Sequence, residues 1–346
     1  MKLMSFFKRP RHKKARVLFI LKKHEIYGGY SYSGRASGLR HSAEFVSDML
    51  KPHEFESEVV VVDDNNDIDR EVFSFKPDVV FIEALWVVPE KFDVLKQLHP
   101  NVKWVVRIHS ELAFLANEGI AIEWMKGYQK RGVLVSPNSF KTFEDFQLLG
   151  LDPVYLPNFY PDIALRQKLF GRMKRTIHVG CFGAIRPLKN QLAQAVAAIR
   201  FADENRLNLL FHINGGRVED NGGSILKNLR ALFDSTSHQL VEHSWKNHED
   251  FLELLDEMDI ALSVSFSETF SIVSADAVSR LVPIVTSAEV VWAEQAVKAK
   301  PTLVRDIVEK MEYALNHPVK NSLTRLREFS NISEGIWLDF LKLKGE

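Results

Sequence analysis

In the segment SFSETFSIVSADAVSRLVPIVTS, residues 265–287, two carboxylates stand eight positions apart, Glu268 and Asp276. An apolar run, IALSV, precedes them and a second short one, VPIV, follows. That order predicts strand, helix, strand, with Glu268 where the first strand ends. In open parallel sheets, ligands bind outside the carboxyl ends of the strands. Eight helical residues rise about 12 Å, comparable to the span from the sugar of a sugar diphosphate to its ribose. Ionised carboxylates accept hydroxyl hydrogen bonds, so Glu268 suits the sugar end and Asp276 the ribose. The amides of Thr269, Phe270 and Ser271 would then face the phosphates between them. The bland alternative is an acid favoured by the helix dipole and a second, merely exposed one.

A second constellation is VGCFGAIRPLKNQLAQAVAAI. Here a strand ends at a turn holding Gly180 and Gly183, and Arg186 and Lys189 are expected at the start of the next helix. Glycines admit a ligand close to the backbone, and a helix N-terminus with two cations makes an anion cradle. This is neither a Walker phosphate loop nor a G-x-G-x-x-G fingerprint. Taken alone, it is equally an ordinary strand–helix turn with surface cations.

These residues need a scaffold, and the chain alternates short β-rich runs with longer helical stretches throughout. Strands are predicted at 17–21, 58–62, 78–83, 103–108, 132–136 and 153–157, then at 177–183, 207–213, 239–243, 259–264 and 283–287. Helices are predicted over 36–50, 111–130, 189–203, 222–234, 247–257 and 270–281. The βαβα rhythm implies parallel sheets with helices on both faces. About eleven strands exceed one comfortable sheet, so two Rossmann-like domains are expected. The break falls in LPNFYPDIALRQKLFGRMKRT, and the cleft between the domains is the default ligand site.

Composition sets the outer bounds. The chain has 346 residues, 46% hydrophobic and 26% charged, which is ordinary for a globular protein of two domains. Its 45 basic and 45 acidic residues cancel, so no global charge points to nucleic acid. The lone Cys181 excludes a disulfide framework and suits a reducing cytoplasm. No run approaches the roughly 20 apolar residues that span a bilayer. The basic start, with Lys8, Arg9, Arg11, Lys13, Lys14 and Arg16, reads as a solvated arm, or as peripheral contact with a membrane or DNA.

The two constellations in this order resemble the GT-B glycosyltransferases, in particular the retaining family-4 type that uses nucleotide sugars. The matching residues are Gly183, Arg186, Lys189 and Asn190, then Ser267, Glu268, Phe270, Asp276, Ala277 and Pro283. FHINGG and NHEDFLELLDEMDIALSVS are also similar to the family's pattern, so the resemblance covers nearly all of 176–290. It departs at Asp276, where Glu is usual, and at Ser271 and Leu281, where glycine is common. In the N-terminal half, Gly28 and Gly29 resemble the glycine loop facing the donor phosphates, and His109 the cleft histidine facing the donor sugar.

What the resemblance implies is a basic arm (1–15), an N-terminal acceptor domain (16–160) and a C-terminal donor domain (161–329). The last helix, 330–346, would cross back onto the first domain. Arg186 and Lys189 would neutralise the diphosphate of a UDP-, GDP- or ADP-sugar without a metal or other cofactor. Glu268 would place the sugar, Asp276 the ribose, and His109 would meet the sugar from the opposite domain. Tyr30, Arg35, Glu83, Asn138 and Ser139 are the acceptor-side candidates. The acceptor itself, glycan, lipid-linked or nucleic acid, is left open. One alternative is a viral-type enzyme glycosylating a DNA base, for which Tyr27, Tyr30, Tyr32, Arg35, Arg40 and His41 would form the nucleic-acid face. Others are a sugar-nucleotide epimerase and a degenerate GT-B binding or scaffold module.

Overall fold

A computed structural model describes residues 14–23, 38–162, 175–219, 221–317 and 319–342. The first half runs β1 (Arg16–Lys22), α1 (Gly38–Leu50), β2 (Glu56–Val62), α2 (Asp67–Phe75), β3 (Val79–Glu83) and α3 (Lys91–Leu98). It continues with β4 (Lys103–Ile108), α4 (Leu112–Leu115), α5 (Ala121–Lys130), β5 (Leu134–Pro137) and α6 (Phe140–Leu148). All its strands pair in parallel, in the order β2-β1-β3-β4-β5. The apolar runs are buried on both faces, as a helix-covered parallel sheet requires; Val17, Leu18, Phe19 and Ile20 are all inaccessible.

The second half runs β6 (Thr176–Cys181), α7 (Gln191–Glu204), β7 (Asn208–Ile213), α8 (Gly222–Asp234), β8 (Gln239–Glu242) and α9 (His248–Asp256). Then come β9 (Ile260–Ser263), α10 (Ile272–Ser279), β10 (Ile284–Thr286), α11 (Val304–Asn316) and α12 (Lys320–Lys342). This sheet is also parallel, in the order β10-β9-β6-β7-β8. Its strand order reverses between β6 and β9, so the loops after these two neighbours leave the sheet side by side. That switch point is where doubly wound sheets open a ligand crevice. It brings the Gly183–Lys189 and Ser265–Glu268 segments together.

Two expectations fail locally. The segment 153–157 is not a strand, although the Val154 and Leu156 N–H groups donate to the carbonyls of Val135 and Pro137. Pro153 and Pro157 have no N–H to extend that ladder. The helix expected over 111–130 is two helices, α4 and α5, interrupted around Gly119.

Helix α12 joins the two cores. Leu323 and Leu326 pack in the second core, whereas Trp337, Phe340 and Leu341 pack with Phe19 and Phe81 in the first. The Trp337 indole also donates to the Pro157 carbonyl at 2.8 Å.

Candidate active site

The C-terminal wall starts at Gly183, whose φ of +110° needs glycine and whose N–H donates to Asn214 Oδ1 at 2.8 Å. Arg186 and Lys189 do not open α7, as the sequence predicted. Arg186 precedes and Lys189 closes a 3₁₀ turn, Pro187–Lys189, and α7 begins two residues beyond Lys189. Asn190 takes a left-handed conformation (φ 57°) to make that change of direction, and its Nδ2 ties the turn to the carbonyls of Val264 and Pro301. The Phe266 N–H adds a bond to the Leu188 carbonyl at 2.9 Å. These ties carry the loop after β9 onto the 3₁₀ turn, so that the Lys189 ammonium pairs with the Glu268 carboxylate. Arg186 lies 4.6 Å from the Phe114 ring of the other domain and 3.7 Å from Glu219. Its Nε is buried with no hydrogen-bond partner among the described residues.

Beyond Glu268, Thr269 reaches the opposite domain. Its Oγ1 accepts from Asn138 Nδ2 at 3.2 Å and donates to the His109 carbonyl at 3.4 Å. The Phe270 side chain does not face the cleft: it packs with Trp292 and Phe329 and its carbonyl accepts from the Trp292 indole. Only its backbone could meet a ligand. Ser271 caps α10 with φ 63°, accepting from the Ser274 N–H. Leu281 has φ 59°. Both positions where the resemblance leads one to expect glycine therefore keep a glycine-like backbone under a side chain.

Asp276 departs most from expectation. It is 2% exposed, and its Oδ1 accepts from the Tyr160 hydroxyl at 2.7 Å and from His248 Nε2 at 2.8 Å. Burial opposes charge on His248, but the hydrogen bond and charge of Asp276 outweigh it and hold the imidazole above its ordinary range. The ring of His41, on α1, lies 4.4 Å from that of His248. Asp276 thus anchors a seam between domains, and His41 belongs to that seam rather than to an open nucleic-acid face.

The N-terminal wall is a buried polar network. Glu83 and Arg107 are both inaccessible and pair at 2.9 Å, while His109 Nε2 donates to Glu83 Oε2 at 2.5 Å. Asn138 Nδ2 donates to His109 Nδ1 at 3.2 Å. Asn158 Oδ1 gathers Ser42, Arg107 and Asn138. Burial would raise Glu83, but Arg107 and then His109 pull it below the usual carboxylate range. Burial also lowers His109 against the pull of Glu83, and both its ring nitrogens are engaged. Of the acceptor-side candidates, Glu83, Asn138 and Ser139 are buried. They brace the wall instead of lining an open surface. Gly28, Gly29, Tyr30 and Arg35, with Tyr27 and Tyr32, lie outside the described residues.

One cluster went unread in the sequence. Glu111, two residues beyond His109, accepts from Lys141 Nζ at 3.2 Å and from Ser267 Oγ at 3.3 Å. Lys141 also pairs across the cleft with Glu289 at 2.7 Å. Burial, and then a hydrogen bond with the Glu289 carboxyl, push Glu111 up to about 7. Its place on the strand end carrying His109 was the available signal.

No protein-family model and no curated protein matches the chain. Solved structures do. A trehalose-6-phosphate synthase, studied for enzymatic glycosyltransfer with retention using bisubstrate glycomimetics, matches with TM-score 0.61 at 9% identity, covering 94% of this chain and 99% of that one. A UDP-forming α,α-trehalose-phosphate synthase from Burkholderia xenovorans matches with TM-score 0.58 at 13% identity, over 80% and 77% of the two chains. A TarM variant from S. aureus, in complex with fondaparinux, α-GlcNAc-glycerol and UDP, matches with TM-score 0.58 at 12% identity, over 79% and 58%. The chain has the two-domain GT-B fold, with a parallel five-stranded sheet in each domain.

Proposed function

We propose that the protein is a metal-independent, nucleotide-sugar-dependent glycosyltransferase that acts with retention. The observation that carries this reading is the convergence of Arg186, Lys189 and Glu268 at the switch point between β6 and β9, directly opposite His109 and Asn138. Two cations and one acid in a cleft between Rossmann-like domains match a ligand with a diphosphate at one end and hydroxyls beside it. The fold's similarity to UDP-forming and retaining enzymes supports the same assignment.

In this reading Arg186 and Lys189 hold the diphosphate and offset the negative charge that builds on it as the glycosidic bond breaks. Arg186 brings a guanidinium on a side chain that keeps 23% of its surface exposed, able to hold phosphate oxygens by charge-assisted hydrogen bonds. Glu268 accepts from sugar hydroxyls. His109 and Asn138, fixed by Glu83, Arg107 and Asn158, form the opposing wall that excludes water. Asp276 is assigned no ribose contact, because it is 2% exposed and held in the interdomain seam by Tyr160 and His248. No helix among the described residues is long and apolar enough to cross a membrane.

Calorimetric titration with UDP, GDP, ADP and their sugar conjugates tests the reading, with Lys189→Ala alongside. Micromolar binding of one nucleotide family, weakened by Lys189→Ala, is the expected result. Absence of binding at millimolar concentration would refute it and leave a GT-B scaffold module.

A further inference from the structure

Both cations of the cleft face acids of their own domain. Lys189 is paired with Glu268, and Arg186 has Glu219 at 3.7 Å. The Lys189 and Glu268 side chains are only 16% and 12% exposed, so this pair is poorly screened by water. Among the described residues Lys189 is the only hydrogen-bond partner of the Glu268 carboxylate. A diphosphate arriving at Lys189 therefore has to displace a carboxylate, and the displaced Glu268 has to find new donors. Without them a half-buried charge is left unpaired beside two negative phosphates.

We infer that Glu268 competes with the diphosphate for Lys189, so that the site discriminates against nucleotide that has lost its sugar. This rests on the function proposed above. When a sugar nucleotide binds, the hydroxyls of its sugar replace the ammonium as donors to Glu268, and Lys189 passes to the phosphates. A bare nucleoside diphosphate brings no such donors, so its binding leaves Glu268 uncompensated. After transfer the sugar departs from Glu268, which then recaptures Lys189 and loosens the spent nucleotide. The two residues form a charge relay for product release, and the geometry supports it at both ends. The Phe266–Leu188 backbone bond keeps the two loops in register, so that the pair can re-form without movement of either sheet.

The inference has a consequence opposite in sign to simple loss of a binding residue: neutralising Glu268 should tighten the bare nucleotide. The experiment is a double-mutant cycle read by calorimetry with UDP, GDP and ADP, repeated with the sugar conjugate of whichever binds. Glu268→Gln is near-isosteric, and Lys189→Met keeps the aliphatic stem. Thermal melts establish that each variant is folded.

Glu268→Gln should tighten the nucleoside diphosphate by about tenfold, the worth of one charge-assisted contact. In the Lys189→Met background the same change should alter affinity less than about twofold. The ratio of sugar-nucleotide to bare-nucleotide affinity should fall accordingly in Glu268→Gln.

Unchanged or weaker diphosphate binding in Glu268→Gln would overturn the inference while leaving the proposed function standing. Equal tightening with and without Lys189 would also overturn it, since that is a general field effect and not competition. If neither the wild type nor any variant binds a nucleotide at millimolar concentration, the proposed function fails and the inference with it.

Discussion

Replacing Glu83 by Gln tests whether the N-terminal wall is held by charge. Glu83 and Arg107 are fully buried, with Arg107 Nη1 at 2.9 and 3.2 Å from the two carboxylate oxygens. Glutamine preserves shape and keeps an oxygen for His109, so packing and the histidine bond survive. What is lost is the negative charge, and Arg107 cannot lose its own. The guanidinium retains Asn158 Oδ1 at 3.2 Å and the face of Trp337 at 4.9 Å, but its Nε has no partner among the described residues. Breaking a buried pair from one side costs about 3–5 kcal/mol. We take about 3, since the arginine keeps two contacts. For a domain of this size each kcal/mol lowers Tm by about 2–4 °C, so the variant should melt about 6–12 °C below the wild type by scanning calorimetry. Adding Arg107→Met should recover part of that loss, because it removes the buried guanidinium charge that the first change leaves without its carboxylate. A single variant melting within about 2 °C of the wild type would refute the reasoning. So would a double variant less stable than the single.

Two further outcomes follow from the cleft. Ser271 carries a side chain at φ 63°, a conformation costing a non-glycine residue about 1 kcal/mol. Replacing a serine cap by glycine loses only a few tenths, and the Ser271 cap is long at 3.4 Å. Ser271→Gly should therefore raise Tm slightly, and a loss of more than about 1 kcal/mol would show that its hydroxyl contacts outweigh the strain. The second outcome concerns Glu111, raised to about 7 by burial and by Glu289. A carboxyl whose folded value lies above its unfolded one binds more protons when folded. Its contribution to stability therefore falls as pH rises from the unfolded value towards 7, and is level above. Glu111→Gln mimics the protonated acid. Its Tm relative to wild type should climb between pH 5 and pH 8; a constant difference would contradict the assignment.

The sequence yielded what local pattern encodes. Runs such as Val17–Leu21 are unbroken and apolar, and a strand covered by helices on both faces can hardly read otherwise. The prolines of 153–157 were the local signal against that strand, and the apolar residues between them masked it. Gly183, Arg186, Lys189 and Glu268 were legible for a related reason. Each stands where a strand pattern stops, and in parallel sheets that is where ligands bind.

Their pairing was not legible, because it depends on β6 and β9 being neighbours, a fact of strand order rather than of either segment. Burial of polar groups was hidden in the same way. The helix was expected to open at Glu268, but α10 starts at Ile272, so only Asp276 lies on it and the eight-residue helical span does not form. The fate of Asp276 was set by Tyr160, 116 residues away in the interdomain segment. Glu83 read as an acid at a strand end until Arg107, on the adjacent strand, turned it into a buried ion pair. Lys141 and Glu289, 148 residues apart, meet only because two domains close on each other. A buried charge is tolerable only with its partner in place, and the partner is what tertiary structure supplies. The residues that hold this cleft together are therefore those whose chemistry the chain specifies at long range, while those proposed to touch the donor are specified nearby.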